Sequence, residues 1–277
     1  MTGLFDYTHA IVRTPGASVV AGLRDGGGPD PDYAALLAEH QAYVAALKSL
    51  GLVVDVLPSA DEFPDSVFVE DPALVFTEGA IILNLAAASR AGEADLIAPA
   101  LAHHFQTVLR MTGPGHADGG DVLILKDRVI IGLSGRTDRK GAEELAELLR
   151  QLGHRAFIAE TPDGVLHFKT GCSLIDEKTV FALPQMASSP AFEGLRVIPV
   201  PPDEVKAANK LRIRDVALIG VQFPKSRAII DSLGVRTIGL KVEQIGRIDA
   251  GLSCMSLRWR AATGVTQAKL ARVEWLQ

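Results

Sequence analysis

The sequence VLILKDRVIIGL, residues 122–133, places two apolar runs on either side of a polar pair. The runs Val122–Lys126 and Val129–Leu133 predict a β-hairpin, because two short apolar runs joined by a two-residue polar loop are typical of one. A helical pattern follows over Gly141–Leu152, and a third strand is predicted over Arg155–Ala159. This stretch therefore predicts a structural unit made of a hairpin, a helix and a strand.

The same unit recurs along the chain, roughly every 50 residues. Further hairpins are predicted for Val67–Phe76 with Ala80–Leu85, for Cys172–Ile175 with Thr179–Leu183, and within residues 211–221. Helices are predicted for Tyr33–Leu50, Ala94–Leu109 and Ser226–Leu233, and single strands for Leu52–Leu57, Arg196–Pro199 and Val235–Leu240. A fifth hairpin forms if Leu252–Arg258 pairs with the N-terminal strand Ala10–Arg13.

Five such units predict a closed α/β ring with pseudo-fivefold symmetry, because repeats of this length usually bury their cores against their neighbours. No linker rich in Pro, Gly or Ser divides the chain, so we predict one domain over residues 1–277. The one loose stretch, residues 26–31, suits a mobile surface loop.

The composition excludes several classes of protein. Apolar residues make up 48% of the chain and charged residues 22%, which is typical of a folded globular protein. The net charge is −5 and no block of basic residues is present, so nucleic acid is not an expected partner. No apolar stretch is long enough to span a membrane and no signal-peptide pattern is visible, so we expect a soluble cytoplasmic protein. Two cysteines in so long a chain fit reduced thiols.

Residues with reactive or charged side chains cluster where the predicted hairpins begin. If the hairpins converge on an axis, these residues meet in one place and supply a thiol, an imidazole and several carboxylates. They are Asp65, Glu70, Asp71, Asp118, Asp121, His167, Lys169, Asn209, Asp249, Ser253 and Cys254. The set predicts a Cys-His-acid site beside a pocket for a cation.

Each of these residues also has a structural interpretation. Cys254 could be a small core residue, His167 lies between apolar neighbours, and Asp118 could belong to a tight turn before a strand. Cys172 is the competing nucleophile, but its run is typical of a buried strand, so we favour Cys254, with Gly251 allowing the preceding backbone to approach closely. Acids within the apolar run 67–76 are harder to explain structurally, because a buried carboxylate needs a cationic or hydrogen-bonding partner.

Neither the glycine-rich stretch nor the histidines and cysteines of the chain have the sequence context that a dinucleotide or zinc site requires. The glycines of residues 113–119 lead into a strand, whereas a dinucleotide-binding loop leads into a helix. His103 and His104 are adjacent on a predicted helix and diverge, and no Cys-x-x-Cys pair is present, so we predict no structural zinc site.

Six motifs, in this order, make the chain resemble the dimethylarginine dimethylaminohydrolases. They are FPDSVFVED (residues 63–71), SRAGE (89–93), DGGD (118–121), RTD (136–138), LHFK (166–169) and SCMSL (253–257). The resemblance extends from near residue 10 to Trp259. It places the chain among the guanidino-group-modifying enzymes, whose pentein fold is an α/β propeller of five ββαβ units and agrees with the repeat described above.

The resemblance implies roles for individual residues. Cys254 matches the nucleophile, His167 the general acid and base, and Asp118 the acid of the triad. The substrate-binding residues it implies are Asp65, Glu70 and Asp71 around the guanidinium, Arg90 and Arg136 at the amino-acid end, and Leu23, followed by Gly26–Gly28, in a mobile lid. Relatives often have Glu where this chain has Asp118, so contact with His167 requires a bridging water or a closer backbone. Residues 261–277 form a C-terminal extension without an assigned role.

The activity implied by the resemblance is hydrolysis of asymmetric dimethylarginine and monomethylarginine to citrulline through a thiouronium intermediate on cysteine, with no metal or organic cofactor. The partner implied is this small-molecule substrate, and a homodimer is a possible assembly. An arginine deiminase or a citrulline hydrolase uses related chemistry and stays an alternative. A third reading, a binding protein for arginine derivatives without catalysis, is disfavoured by the intact Cys254 and His167.

Overall fold

The computed structural model describes residues 3–24 and 28–262 and contains five three-stranded sheets. The strands are β1 (His9–Arg13), β2 (Val53–Leu57), β3 (Ala73–Val75), β4 (Ala80–Ile82), β5 (Val108–Arg110), β6 (Val122–Ile124), β7 (Val129–Leu133), β8 (Ala156–Glu160), β9 (Cys172–Asp176), β10 (Thr179–Ala182), β11 (Arg196–Pro199), β12 (Leu211–Ile213), β13 (Val216–Gly220), β14 (Arg236–Leu240) and β15 (Leu257–Trp259). The α-helices are α1 (Tyr33–Ser49), α2 (Glu93–His104), α3 (Arg139–Gln151), α4 (Pro224–Ser232) and the short α5 (Glu243–Gly246). Among the described residues, no helix is both long and apolar enough to cross a bilayer.

Every sheet has the same plan, in which the middle strand is antiparallel to one neighbour and parallel to the other. In the sheet that opened the sequence analysis, Ile130 of β7 lies opposite Leu123 of β6 and Phe157 of β8. An α-helix makes the crossover to the parallel strand in four units, because a parallel connection cannot be a short turn. In the fourth unit, two 3₁₀ turns that begin at Pro184 and Pro190 make it instead.

The ring closes as predicted. Strand β15 pairs antiparallel with β1, and Trp259 lies opposite His9 and Leu257 opposite Ile11. The unit formed by β15, β1 and β2, which is the first in chain order, is therefore assembled from the two ends of the described chain. The five ββαβ units confirm the pseudo-fivefold α/β propeller. Of the predicted extension 261–277, residues from 263 onward lie outside the described residues.

Three predicted boundaries are wrong. The predicted strand over 252–258 is reduced to β15, because residues 252–255 form turns. The predicted helix over 94–109 ends at His104, because Val108 and Leu109 pair with β4 and continue the sheet rather than the apolar face of the helix. The predicted strand over 67–76 is reduced to β3, because the segment before it folds into turns in which the Phe68 N–H donates to the Asp65 carbonyl. This segment contains the buried acids.

Neighbouring units share their cores. Leu74 and Ile81 of the second unit pack with Ile131, Leu145 and Leu149 of the third, and all five side chains are buried. The segments that enter the first strand of a unit are short 3₁₀ turns in three cases, namely Gly119–Asp121, Phe168–Thr170 and Val205–Ala208. Asp118, His167 and Asn209 each lie next to one of these segments.

Candidate active site

Cys254 lies in the loop between α5 and β15, where two other units hold it. The Glu70 N–H donates to the Cys254 carbonyl at 3.2 Å, and the side-chain amide of Asn209 lies 3.5 Å from Sγ. Cys172, in contrast, is completely buried in β9, and its thiol donates to the Phe168 carbonyl. The geometry therefore favours Cys254 over Cys172 as the reactive thiol.

His167 and Asp118 meet directly, although they come from different units. Nε2 of His167 lies 3.2 Å from Oδ2 of the fully buried Asp118. A bridging water is unnecessary because the backbone after Asp118 approaches so closely that only glycine fits. A Cβ at Gly120 would lie 2.8 Å from the His167 ring, and one at Gly119 would lie 1.9 Å from the Glu70 carbonyl oxygen.

Asp121 holds the segment that presents His167. Its Oδ1 accepts a hydrogen bond from the Phe168 N–H at 2.7 Å, and its Oδ2 accepts from the hydroxyls of Ser134 and Thr137, each at 2.7 Å. The Thr137 hydroxyl in turn accepts from the Asp118 N–H at 3.1 Å. The second acid of the DGGD motif therefore fixes the position of His167 relative to Asp118, a role that the sequence analysis did not assign.

The surroundings of His167 favour its protonated form. Burial alone lowers the pKa of the imidazole, but the hydrogen bond to Asp118 and the charges of Asp71 and Asp121 outweigh burial and raise this pKa to about 9. His167 therefore carries a proton at neutral pH, as a general acid requires.

Asp71 links Arg90 to the Gly119-Gly120 turn. Its Oδ2 forms a 2.6 Å ion pair with Arg90, and its Oδ1 accepts from the Gly120 N–H at 3.1 Å. Burial acts to raise the pKa of this carboxyl, but the charges of Arg90 and His167 prevail and the pKa lies below its ordinary value. Asp71 therefore carries a negative charge beside His167.

Glu70 lies behind the Cys254 loop. Its Oε1 forms ion pairs with Lys169 at 2.7 Å and Arg258 at 3.0 Å, and its Oε2 accepts from the Ser253 hydroxyl at 2.9 Å. Arg258 also donates to the Ser253 carbonyl. Glu70 therefore supports the nucleophile loop, and the contact with the guanidinium that the resemblance implies for it stays a prediction.

The two predicted carboxylate-binding arginines lie in different environments. Arg90 is buried, with its guanidinium paired to Asp71 and Glu93 and donating to the Phe68 carbonyl, so the structure places it behind Asp71. Arg136 lines an open cleft of about 670 Å³. The structure brings only Arg136 to a surface that a substrate carboxylate can reach.

The cleft beside the site has the size of a small-molecule pocket, for which about 300–1,000 Å³ is usual. Its lining comprises Gly135, Arg136, Gly164, Val165, Leu166, Thr170, Lys206, Asn209, Asp249 and Ala250. Asn209 also contacts Cys254, so its side chain connects the wall of the cleft to the thiol. Asp249 has a φ of 54°, an unusual left-handed backbone for a residue other than glycine.

Leu23 of the predicted lid contacts Asp65 of the predicted acidic cluster. The Leu23 N–H donates to Asp65 Oδ1 at 3.0 Å, and the Leu23 side chain is exposed. Burial raises the pKa of Asp65, although Arg90 and the Leu23 hydrogen bond act against it. Of the predicted lid glycines, Gly26 and Gly27 lie outside the described residues.

Three of the site's ligand atoms could also hold a metal ion. One atom each of Asp71, Asp118 and His167 lies within 4.8 Å of the others, the one such group among the described residues. A metal ion would have to displace the proton of His167, whose pKa is about 9, and compete with Arg90 for Asp71. This donor set therefore favours proton transfer over metal binding.

A thiol, an imidazole and carboxylates from separate units of a pentein-type propeller define the guanidino-group-modifying class of enzymes. The family model described as arginine deiminase matches residues 57–217. The N(G),N(G)-dimethylarginine dimethylaminohydrolase of Pseudomonas aeruginosa is 35% identical over 254 residues, covering 91% of this chain and 100% of that protein. The protein of the same description from Streptomyces coelicolor is 31% identical, covering 91% and 96%. The chain belongs to the dimethylarginine dimethylaminohydrolase family and is an enzyme of that hydrolase type.

Solved structures support the same assignment. A citrulline complex of the P. aeruginosa enzyme superposes with a TM-score of 0.89 at 35% identity, covering 92% of this chain and all of the other. A dimethylarginine dimethylaminohydrolase adduct with S-methyl-L-thiocitrulline has a TM-score of 0.88 at 35% identity and covers 91% and 99%. The N-terminal domain of the cyanobacterial arginine dihydrolase ArgZ, at a TM-score of 0.80 and 14% identity, covers 91% and 97% and shares the fold.

We predict that Asp118→Asn lowers the pKa of His167 from about 9 toward the ordinary histidine value of about 6.5, because the amide carries no negative charge. The measurement is an NMR titration of the histidine ring signals, with His167 assigned through a His167→Gln variant. Asp127→Asn, an exposed hairpin-turn change, is the matched control. An unchanged His167 pKa in Asp118→Asn would contradict the proposed pairing.

Proposed function

We propose that the protein hydrolyses asymmetric dimethylarginine and monomethylarginine to citrulline, releasing dimethylamine or methylamine. The observation that carries this proposal is the position of ionised Asp71, which has a ligand atom within 4.8 Å of His167 and whose charge acts on Cys254, within a chain 35% identical to the P. aeruginosa enzyme. A thiol and a protonated imidazole that share an ionised acid suit attack on a planar cation. The citrulline bound in the P. aeruginosa structure supports citrulline as the product.

Substrate binding depends on charge at both ends. The guanidinium lies against Asp71, whose ionised carboxylate attracts it, and against Asp65. Arg136 lines the cleft and binds the substrate carboxylate, for which a guanidinium offers two parallel N–H donors. Arg90 holds Asp71 in place, and the role that the resemblance implies for Arg90 at the amino-acid end stays a prediction.

The substrate itself activates the nucleophile. Burial, with the charges of Glu70 and Asp71, raises the pKa of Cys254 to about 12, so the resting thiol is protonated. A guanidinium placed beside the sulfur adds a positive charge that lowers this pKa and favours the thiolate. Reactive thiolate is therefore formed mainly when a cationic substrate is present.

The reaction then proceeds in two halves. The thiolate attacks the central guanidinium carbon, and His167 donates its proton to the departing amine as the C–N bond breaks, leaving a thiouronium on Cys254. Neutral His167 next accepts a proton from water, whose oxygen attacks the same carbon. As the C–S bond breaks, the new hydroxyl loses its remaining proton to solvent and becomes the ureido carbonyl of citrulline, citrulline leaves and the thiolate returns. Every step uses water and residues of this chain.

Arginine is the second candidate substrate, because the family model that matches residues 57–217 is described as arginine deiminase. Attack of the Cys254 thiolate on the guanidinium carbon of arginine would release ammonia by the same steps. A citrulline hydrolase stays a more distant alternative. The proposal treats the chain as one catalytic domain acting on small molecules in the cytoplasm, with a homodimer as its possible assembly.

We predict that Cys254→Ser abolishes turnover while the protein stays folded, because a hydroxyl is a much poorer nucleophile here than a thiolate. Cys172→Ser is the matched control and should retain most activity, since Cys172 is a buried residue of β9. The measurements are citrulline formation and thermal unfolding of both variants. Turnover by Cys254→Ser, or loss of activity in folded Cys172→Ser, would reverse the assignment of the two thiols.

We also predict an order of substrates. Asymmetric dimethylarginine and monomethylarginine react, arginine reacts poorly, and symmetric dimethylarginine does not react. Alkylation of both terminal nitrogens removes a donor from the nitrogen that the acids hold and leaves a buried carboxylate unpaired, which discriminates strongly. Arginine differs from the methylated substrates only in lacking the contacts of the methyl groups, and such contacts change transition-state binding by only about 1–3 kcal/mol.

Steady-state citrulline formation from the four compounds tests this order. A preference for arginine would move the assignment to the deiminase activity. A preference for symmetric dimethylarginine would overturn the proposed orientation of the guanidinium.

A further inference from the structure

Asn209 contacts the sulfur of the proposed nucleophile, and the mechanism described above gives it no role. We infer that the side-chain amide of Asn209 orients the Cys254 sulfur and stabilises its thiolate by donating a hydrogen bond to it. The inference rests on the proposed function only in taking Cys254 as the nucleophile.

Two contacts determine which way the amide points. Oδ1 of Asn209 accepts a hydrogen bond from the Ser253 N–H at 3.1 Å, and Nδ2 lies 3.5 Å from Cys254 Sγ. Because a backbone N–H can only donate, the amide oxygen must face Ser253 and the NH₂ group must face the sulfur. One side chain thus holds two consecutive residues of the nucleophile loop.

Asn209 reaches the loop from another unit of the propeller. It follows the 3₁₀ turn Val205–Ala208 and precedes β12, and it is 45 residues away from Cys254 in the chain. The fold therefore brings this amide to the thiol, as it brings His167 and Asp118 together.

Gly251 leaves the space that the amide occupies. A Cβ at this position would lie 2.5 Å from Asn209 Cγ and 2.6 Å from Oδ1, closer than side chains tolerate. The sequence analysis expected close approach of backbone at Gly251, and the structure instead shows a side chain there. A larger residue at 251 would push the amide away from the sulfur.

The sulfur needs hydrogen-bond donors because carboxylates surround it. The charges of Glu70 and Asp71 disfavour the thiolate, while a hydrogen bond with the Gly251 backbone and the charge of Lys169 favour it. A neutral amide N–H adds a donor without adding a charge that would repel a cationic substrate. Asn209 therefore favours the thiolate and still admits a guanidinium.

The test is the pH dependence of Cys254 alkylation by iodoacetamide in the full chain without substrate. Peptide mass mapping follows Cys254 separately from buried Cys172. Asn209→Asp keeps the acceptor for Ser253 but replaces the donor with a carboxylate, so less thiolate forms and the alkylation rate near neutral pH should fall about tenfold or more. The kcat/KM for asymmetric dimethylarginine should fall at least as much.

Two further variants separate this effect from simple charge or misfolding. Gly251→Ala displaces the amide without changing charge and should also lower the alkylation rate, by a smaller factor. Gln222→Glu adds the same charge as Asn209→Asp at an exposed position of a neighbouring pocket that Gly251 also lines, and should leave the alkylation rate nearly unchanged. Thermal unfolding checks that each variant is folded. If Asn209→Asp does not fold, the alkylation rate of Gly251→Ala decides whether the amide stabilises the thiolate.

The inference is wrong if folded Asn209→Asp loses activity while its alkylation profile matches the wild type, because the amide would then act on the substrate instead. It is also wrong if Gln222→Glu shifts the profile as far as Asn209→Asp does. Since alkylation requires no substrate, a failure of methylarginine hydrolysis leaves the result for Asn209 readable.

Discussion

The ion pair between Asp71 and Arg90 is the interaction on which the site depends. A buried carboxylate is costly unless it is paired and hydrogen-bonded, and Asp71 has Arg90 on one oxygen and the Gly120 N–H on the other. Because Asp71 stays charged, it raises the pKa of His167 and offers a negative surface to a guanidinium. A neutral residue at 71 would remove one of the two carboxylates that pair with Arg90 and would lower the pKa of His167.

Close backbone packing turns this charge arrangement into a catalytic geometry. Gly119 and Gly120 let the second unit contact the third at distances that no side chain would permit, and this brings Asp118 to His167 despite its short side chain. Asp121, Glu70 and Asn209 then hold His167 and Cys254 from behind. Each reacting group is therefore positioned by a unit other than its own.

Periodicity and polar turns predict the propeller well, because each hairpin is a local pattern that repeats. Helix α2 was predicted too long because Val108 and Leu109 continue its apolar spacing, and only pairing with β4 decides otherwise. The reactive residues were identifiable as polar groups at hairpin entrances. The environment of Arg90 and the contact between Asn209 and Cys254 depend on partners from other units, so no local pattern could reveal them.

The most direct test of the account is to look for the covalent intermediate. Acid quenching during turnover, followed by intact-protein mass spectrometry and peptide mapping, should show one adduct on Cys254. Its mass should be identical for asymmetric dimethylarginine and monomethylarginine, because the methylated amine has already left. The absence of an adduct while citrulline accumulates, an adduct on Cys172, or masses that retain the methyl groups would contradict covalent catalysis by Cys254.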